Sequence, residues 1–154
     1  MALIDHTNSA DPRQSVRVAL IDSGVDAAHP WFETATLTHR HVVRVDGRWC
    51  VQEGGAGDTS GHGTACAGIL HRRMPTAEIV SIRALSEDGR CSKSALIASI
   101  AFAIDAAVDV VSLSLGFDLP RRAQLKASDH RPILSLYELA VSYTHLTLPT
   151  ICSV

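Results

Sequence analysis

Residues 16–24 read VRVALIDSG, an apolar run that ends in an aspartate, a serine and a glycine. The β-branched and aliphatic side chains of Val16–Ile21 are typical of a strand that is buried on both faces of a sheet. The carboxyl ends of such parallel strands open onto the crevice where these folds place their active sites. Asp22 is therefore a candidate functional carboxylate, although Asp-Ser-Gly after a strand is more often a plain turn.

A second stretch, forty residues further on, reads SGHGT at residues 60–64. His62 stands between two glycines, and the small and apolar residues of 62–70 predict a closely packed helix that begins there. A helix N-terminus carries partial positive charge and disfavours an imidazolium unless an anion is near, and Asp22 is the expected anion. The alternatives are a loop histidine or a metal ligand, but neither an H-x-x-x-H spacing nor a cysteine pair accompanies it.

The rest of the pattern alternates strands with helices. The predicted strands are residues 16–21, 41–45, 48–52, 77–85 and 108–115, and the predicted helices are residues 62–70 and 94–106. Asp46-Gly47 indicates a two-residue hairpin turn, and Ser94 is the expected N-cap of the second helix. This order predicts an α/β fold, with a mostly parallel sheet and helices on its faces.

The composition and charge of the chain limit which binding partners and which compartment we expect. The chain has 154 residues, 46% of them hydrophobic, and a net charge of −2. The near-neutral charge gives no reason to expect nucleic acid or a membrane surface as a partner, and no apolar run approaches the roughly 20 residues of a membrane span. The four cysteines form no C-x-x-C pair, and residues 1–14 lack the features of a secretory signal. We therefore expect reduced thiols and a cytoplasmic protein.

Three ordered motifs carry a resemblance to a known family. They are IDSGVD at residues 21–26 followed by His29-Pro30, HGTACAG at residues 62–68, and VVSLSLG at residues 110–116. Residues 16–116 resemble the N-terminal half of a subtilisin-like serine protease (the subtilase, or peptidase S8, family), in which the triad order is Asp, His, Ser. The resemblance implies a three-layer α/β sandwich around a mostly parallel central sheet, here truncated at its C-terminal side.

The resemblance also implies roles for individual residues. Asp22 would orient and stabilise His62, the general base. An extended peptide or protein substrate would bind by strand addition between two edges. The implied substrate-binding residues are Arg90, Cys91 and Ser92 on one edge and Ser114, Leu115 and Gly116 on the other.

Several positions depart from the family pattern. Trp31 follows His29-Pro30 where the best-known members have a calcium-binding aspartate, so we expect neither that calcium site nor any other metal or cofactor. Cys66 lies in the His62 helix, as in the cysteine-bearing branches of the family, where we expect a packing role rather than a reactive one. Ser135, Ser142 and Ser153 lack the glycine-rich turn of a nucleophile, and the oxyanion-hole asparagine has no counterpart.

From the extent of the resemblance and from these departures we predict three segments and the activity of the chain. We expect a polar N-terminal segment at residues 1–15, a partial peptidase domain at residues 16–140, and a non-native read-through tail at residues 141–154. The tail contains three threonines and no glycine within residues 141–150, and a genuine short strand is the alternative. Without its serine and asparagine the chain is expected to have no peptidase activity as written.

Two other functions compete with this interpretation. A serine-less pseudoprotease or peptide-binding module would keep the fold without the chemistry. A nucleotide-binding α/β domain would cradle phosphate at Gly61-His62-Gly63, but the glycine spacing does not match and no Gly-Lys-Ser/Thr follows.

Overall fold

The computed structural model describes residues 15–115. Seven strands and two α-helices follow one another along this part of the chain, with a short 3-10 helix at Pro30–Phe32. The strands are β1 (Arg17–Asp22), β2 (Gly24–Val25), β3 (Thr36–Val45), β4 (Arg48–Glu53), β5 (Gly57–Asp58), β6 (Glu78–Arg83) and β7 (Val110–Leu113). The helices are α1 (His62–Arg73) and α2 (Lys93–Asp105).

Five of the strands form one sheet in the order β4-β3-β6-β1-β7. All neighbours pair in parallel except the β3-β4 hairpin, which is antiparallel. The predicted mostly parallel α/β sheet is confirmed. In β1, Asp22 pairs with Arg83 of β6.

Helices cover both faces of the sheet. On one face, Ala19 and Ile21 of β1 pack with Leu96, Ile100 and Ala103 of α2. On the other face, Leu20 packs with Ala67 of α1 and with Phe32. Val18, Ala19, Leu20 and Ile21 are all 0% exposed, as predicted for a strand that is covered on both sides. The carboxyl end of β1 is thereby fixed between two apolar layers.

Several local predictions differ from the structure. The N-cap of α2 is Ser92 and not Ser94, because Ser92 has extended backbone angles and its Oγ accepts a hydrogen bond from the Ala95 N–H at 3.1 Å. The strand β3 begins at Thr36 and not at residue 41, because residues 36–41 pair with β6 before residues 40–45 pair with β4. The helix α1 runs on to Arg73 and ends where Met74 donates its N–H to the Leu70 carbonyl.

The hairpin turn is confirmed. Asp46 and Gly47 have φ angles of 49° and 80°, the positive values that a two-residue hairpin turn requires at both positions. The predicted segment before residue 15, the boundary near residue 140, the tail at 141–154 and Gly116 all lie outside the described residues. Neither helix within residues 15–115 is long and apolar enough to cross a membrane.

The segment between β4 and α1, for which no strand is predicted from the sequence, contains β5. This short strand pairs with β2 in an antiparallel arrangement, Gly24 opposite Asp58 and Val25 opposite Gly57. A side chain at Gly24, whose φ is +100°, would place its Cβ 2.2 Å from the Gly57 carbonyl oxygen. The pairing therefore needs glycine at this position, and it brings the loop before α1 against the chain that leaves β1.

Gly63 makes a second close backbone contact, and replacing it tests how rigid this junction is. A Cβ at Gly63 would lie 2.1 Å from the Gly24 carbonyl oxygen. Glycine to alanine usually stabilises a helix by about 1 kcal/mol, but the clash reverses the sign here. We expect Gly63→Ala to lower the free energy of unfolding by about 1–3 kcal/mol, measured by urea denaturation followed by circular dichroism.

Ala65→Ser is the matched control, because Ala65 is exposed on the same helix. It should change the free energy of unfolding by less than about 0.5 kcal/mol. A rise in the urea midpoint for Gly63→Ala would show that the Gly24–Gly63 contact is not close in solution.

Candidate active site

Asp22 is held at the end of β1 as a buried carboxylate. Its side chain is 0% exposed, and Oδ1 accepts a hydrogen bond of 2.7 Å from the Ser23 N–H. Its backbone carbonyl accepts from the N–H groups of Ala84 and Leu85, which anchors the strand end to the chain leaving β6. A buried carboxylate needs a hydrogen-bonded or charged partner, because an unpaired one would be costly.

That partner is His62, the first residue of α1. Its Nδ1 lies 2.8 Å from Oδ1 and 3.0 Å from Oδ2 of Asp22. Gly61, with φ of 85°, turns the chain into the helix and directs the imidazole back toward β1. The ring is 52% exposed, so one edge contacts the carboxylate and the other faces solvent. Because Nδ1–H donates to Asp22, Nε2 is the nitrogen left to accept a proton.

A second carboxylate, Asp58, ties the first turn of α1 to the end of β1. Ser23 Oγ donates to Asp58 Oδ1 at 2.6 Å and accepts from the Gly63 N–H at 2.9 Å. The Oδ2 of Asp58 accepts from the Thr64 N–H at 2.8 Å and from the Thr64 hydroxyl at 2.5 Å. The Ser60 N–H donates to Oδ1 at 3.0 Å. These bonds occupy N–H groups that a helix N-terminus otherwise leaves unsatisfied.

The same bonds keep Asp58 ionised. Burial alone would raise the pKa of this carboxyl, but the hydrogen bonds from Ser23, Thr64 and Ser60 outweigh it and hold the pKa well below its usual range. Sequence reasoning missed Asp58, Ser23 and Thr64. An aspartate four residues before a glycine-flanked histidine at a helix start was the available signal, since acidic groups are favoured at helix N-termini.

Cys66 lies one helical turn from His62. Its Sγ is 3.9 Å from each imidazole nitrogen and 3.8 Å from Ser114 Oγ. Burial raises the pKa of the thiol, and the nearby carboxylates of Asp22 and Asp58 raise it further, against the hydrogen bond with Ser114. A raised pKa keeps the thiol neutral, and Cys66 packs against the core cluster of Leu20 and Ala67. Both observations favour a packing role over a nucleophilic one.

Asp22, His62 and Cys66 also form the one group of three potential metal ligands found within residues 15–115, with ligand atoms within 4.8 Å of one another. Two of those atoms already share a hydrogen bond, and the third belongs to a protonated thiol. The arrangement is thus better suited to proton transfer than to holding a metal ion.

A cleft of about 530 Å³ opens beside His62. Four of the residues expected to bind substrate line it together with His62: Arg90, Cys91, Ser114 and Leu115. Ser92 does not line this cleft, because its hydroxyl caps α2. The sixth, Gly116, lies outside the described residues. The structure thus brings residues of both implied edges and His62 to one cleft.

The ionised state of Asp58 makes a testable contribution to stability. Since its pKa is lower in the folded chain than in the unfolded chain, ionisation stabilises the fold above the unfolded value of about 3.9. That contribution is lost as the pH falls through the lower folded value. We expect Asp58→Asn to cost about 1–3 kcal/mol of unfolding free energy at neutral pH, because the amide nitrogen replaces one accepting oxygen and leaves part-buried donors without an acceptor.

The difference between wild type and Asp58→Asn should shrink when both are measured by urea denaturation below about pH 3. Asp46→Asn is the control, since Asp46 is exposed in a hairpin turn that also accepts asparagine. Equal stability of Asp58→Asn and wild type at neutral pH would contradict the assignment.

Comparison with known proteins identifies the family. The family model described as "Subtilase family" matches residues 13–144. The chain is 27% identical over 113 residues to the major intracellular serine protease of Bacillus subtilis, covering 67% of this chain and 34% of that protein. It is 32% identical over 110 residues to thermitase of Thermoactinomyces vulgaris, covering 65% and 37%. The chain therefore spans about a third of the length of these curated relatives.

Solved structures show the same fold. The crystal structure of a lanthipeptide protease superposes with a TM-score of 0.67 and 25% identity, covering 82% of this chain and 35% of that one. A cold-adapted subtilisin-like serine proteinase gives a TM-score of 0.53 and 25% identity, covering 78% and 43%. With the family model matching most of the sequence and the Asp–His pair at the expected strand end, the chain belongs to the subtilase family of serine proteases.

Proposed function

We propose that this chain carries the Asp–His half of a serine endopeptidase that cleaves extended peptides or proteins. One observation carries the proposal: a fully buried Asp22 carboxylate lies 2.8 Å from Nδ1 of a half-exposed His62. Family membership makes serine proteolysis the parent chemistry. The cleft that His62 shares with Arg90 and Ser114 supports an extended peptide as the substrate.

The roles of the two residues follow from their hydrogen bonds. Asp22 accepts the Nδ1 proton of His62, which fixes the imidazole tautomer and leaves Nε2 as the base. In the intact protease, Nε2 would take the proton of a serine hydroxyl as that oxygen attacks the peptide carbonyl, and would return it to the leaving amine. The Asp22 carboxylate, aided by the Ser23 N–H that orients it, stabilises the transient imidazolium.

The nucleotide-binding alternative has no support in the helix N-terminus. A phosphate site needs free backbone N–H groups at the start of the helix. Here the Gly63 N–H donates to Ser23, the Thr64 N–H donates to Asp58, and the Ala65 N–H donates to the Gly61 carbonyl. The Asp58 carboxylate already holds the place that a phosphate would take, and its negative charge would repel one.

The chain by itself is proposed to lack peptidase activity. Within residues 15–115 no hydroxyl forms a hydrogen bond with His62 Nε2, whose one hydrogen-bond contact is the Cys66 sulfur at 3.9 Å. Purified chain should give no turnover of an internally quenched peptide above a His62→Ala control. Turnover that is abolished both by His62→Ala and by a serine-directed fluorophosphonate would contradict this.

The proposed base pair has its own readout, independent of turnover. A proton shared between His62 Nδ1 and a buried carboxylate resonates far downfield in a proton NMR spectrum. We expect this signal in wild type, its loss in His62→Gln, and an upfield shift in Asp22→Asn. Absence of the signal in folded wild-type protein would remove the support for the pair.

We also propose that no calcium site depends on position 31. Trp31 is 59% exposed, its ring packs edge-on against His29 with centroids 4.7 Å apart, and it covers Gly68, so it offers no oxygen ligand there. A metal site saturated a thousandfold would add about 4 kcal/mol to the unfolding free energy. Thermal midpoints in excess calcium and in a chelator should therefore coincide. A midpoint that falls in chelator would contradict the proposal.

A cytoplasmic site of action is proposed as well. Its support is the name of one relative, the major intracellular serine protease of Bacillus subtilis, and the thiols of Cys50, Cys66 and Cys91, which form no disulfide within residues 15–115. Recovery of the protein from the culture medium and not from the cell lysate would contradict it.

A further inference from the structure

The cleft beside His62 has an uneven charge. Arg90 and Lys93 both line it, and none of its lining residues within 15–115 is an aspartate or a glutamate. The hollow that adjoins it through Leu85, Arg90 and Cys91 adds Arg83, again with no acidic residue in its wall. Three cationic side chains thus follow one side of the surface on which the proposed substrate lies.

These cations are available to a ligand. Arg90 has one acidic neighbour, Asp88, whose Oδ2 is 3.9 Å from Nε in a pair exposed to solvent on both sides. That carboxylate is already engaged, because Oδ1 accepts from the Ser86 hydroxyl and from the Arg90 N–H. Lys93 lies within 4 Å of no acidic side chain among residues 15–115. An exposed pair at such a distance contributes little, so Arg90 can turn to a better partner at small cost.

Two arginines of the sheet, Arg17 and Arg40, are paired somewhat more closely. Arg17 Nε lies 3.0 Å from Glu78, and Arg40 lies 3.7 Å from Glu53. The cleft thus offers two cations, Arg90 and Lys93, that no carboxylate within residues 15–115 holds closely, in the same wall as His62. A peptide that carries its own carboxylate would supply the missing charge and would be oriented by it.

Building on the proposed peptidase function, we propose that the cleft selects peptides with an aspartate or glutamate within a few residues of the bond presented to His62. Side chains of an extended peptide recur on one face at every second residue, about 6–7 Å apart. One acidic side chain can therefore meet Arg90 or Lys93 while another part of the peptide passes His62. A neutral or basic side chain at that position would leave both cations solvated and gain nothing.

The test is the affinity of this chain for fluorescent extended peptides that differ at one residue, measured by fluorescence anisotropy. A glutamate is moved along an otherwise neutral peptide, and each version is compared with its glutamine counterpart. We expect the best glutamate peptide to bind about tenfold more tightly than its glutamine counterpart, which corresponds to about 1.4 kcal/mol. The ratio should fall as salt is raised, since the contact is exposed.

The variants assign the effect to the two cations. The double variant Arg90→Gln with Lys93→Gln should bring the glutamate-to-glutamine ratio close to one. Arg48→Gln, an exposed change at the start of β4 and away from the cleft, should leave it unchanged. Circular dichroism melts confirm that each variant is folded.

The outcomes separate this inference from the proposed function. Equal binding of glutamate and glutamine peptides would overturn the charge selection and leave the peptide cleft in place. A ratio that survives in the double variant would also overturn it. Failure of every peptide to bind folded wild-type protein would overturn the peptide cleft itself, and the charge selection with it.

Discussion

The joint between the end of β1 and the start of α1 is the constraint on which the site depends. Ser23 and Asp58 connect the two elements through hydrogen bonds of 2.5–2.9 Å that reach the first turn of the helix at Gly63 and Thr64. The two carboxylates have different roles. Asp22 accepts a hydrogen bond from the imidazole, and Asp58 accepts hydrogen bonds from the first turn of the helix that carries it. The position of His62 relative to Asp22 therefore depends on this polar network as well as on the direct hydrogen bond between the two side chains.

The electrostatics at the junction of β1 and α1 fit the proton transfer proposed for His62. A positive helix end opposes a protonated imidazole at His62. Two carboxylates, one in direct contact with the ring and one at the helix end, oppose that field. The neutral Cys66 thiol on the same side adds no charge of its own. In the proposed mechanism, these two carboxylates favour the transient imidazolium at His62.

Much of this was predictable from sequence, for physical reasons that differ between elements. The run at residues 16–21 predicts a buried strand because β-branched side chains favour extended backbone and apolar side chains favour burial. The structure buries Val18–Ile21 completely. The Asp22–His62 pair followed from its motif and chain order. Asp58 could not be predicted in the same way, because its environment exists only once β2 and β5 pair across more than thirty residues of chain. The helix cap was misplaced by two residues because two serines stand near the start of α2, and only the backbone angle at Ser92 separates them.

The contact between Gly24 and Gly63 bears on how sequences of this kind are classified. A Cβ at Gly63 would meet the Gly24 carbonyl and a Cβ at Gly24 would meet the Gly57 carbonyl, so both positions need glycine for the close approach of backbones. A descendant that had lost its nucleophile, or even its histidine, would still need them to close the joint. Gly24 and Gly63 are therefore evidence for the fold. Whether such a sequence is catalytic has to be established from side chains such as Asp22 and His62.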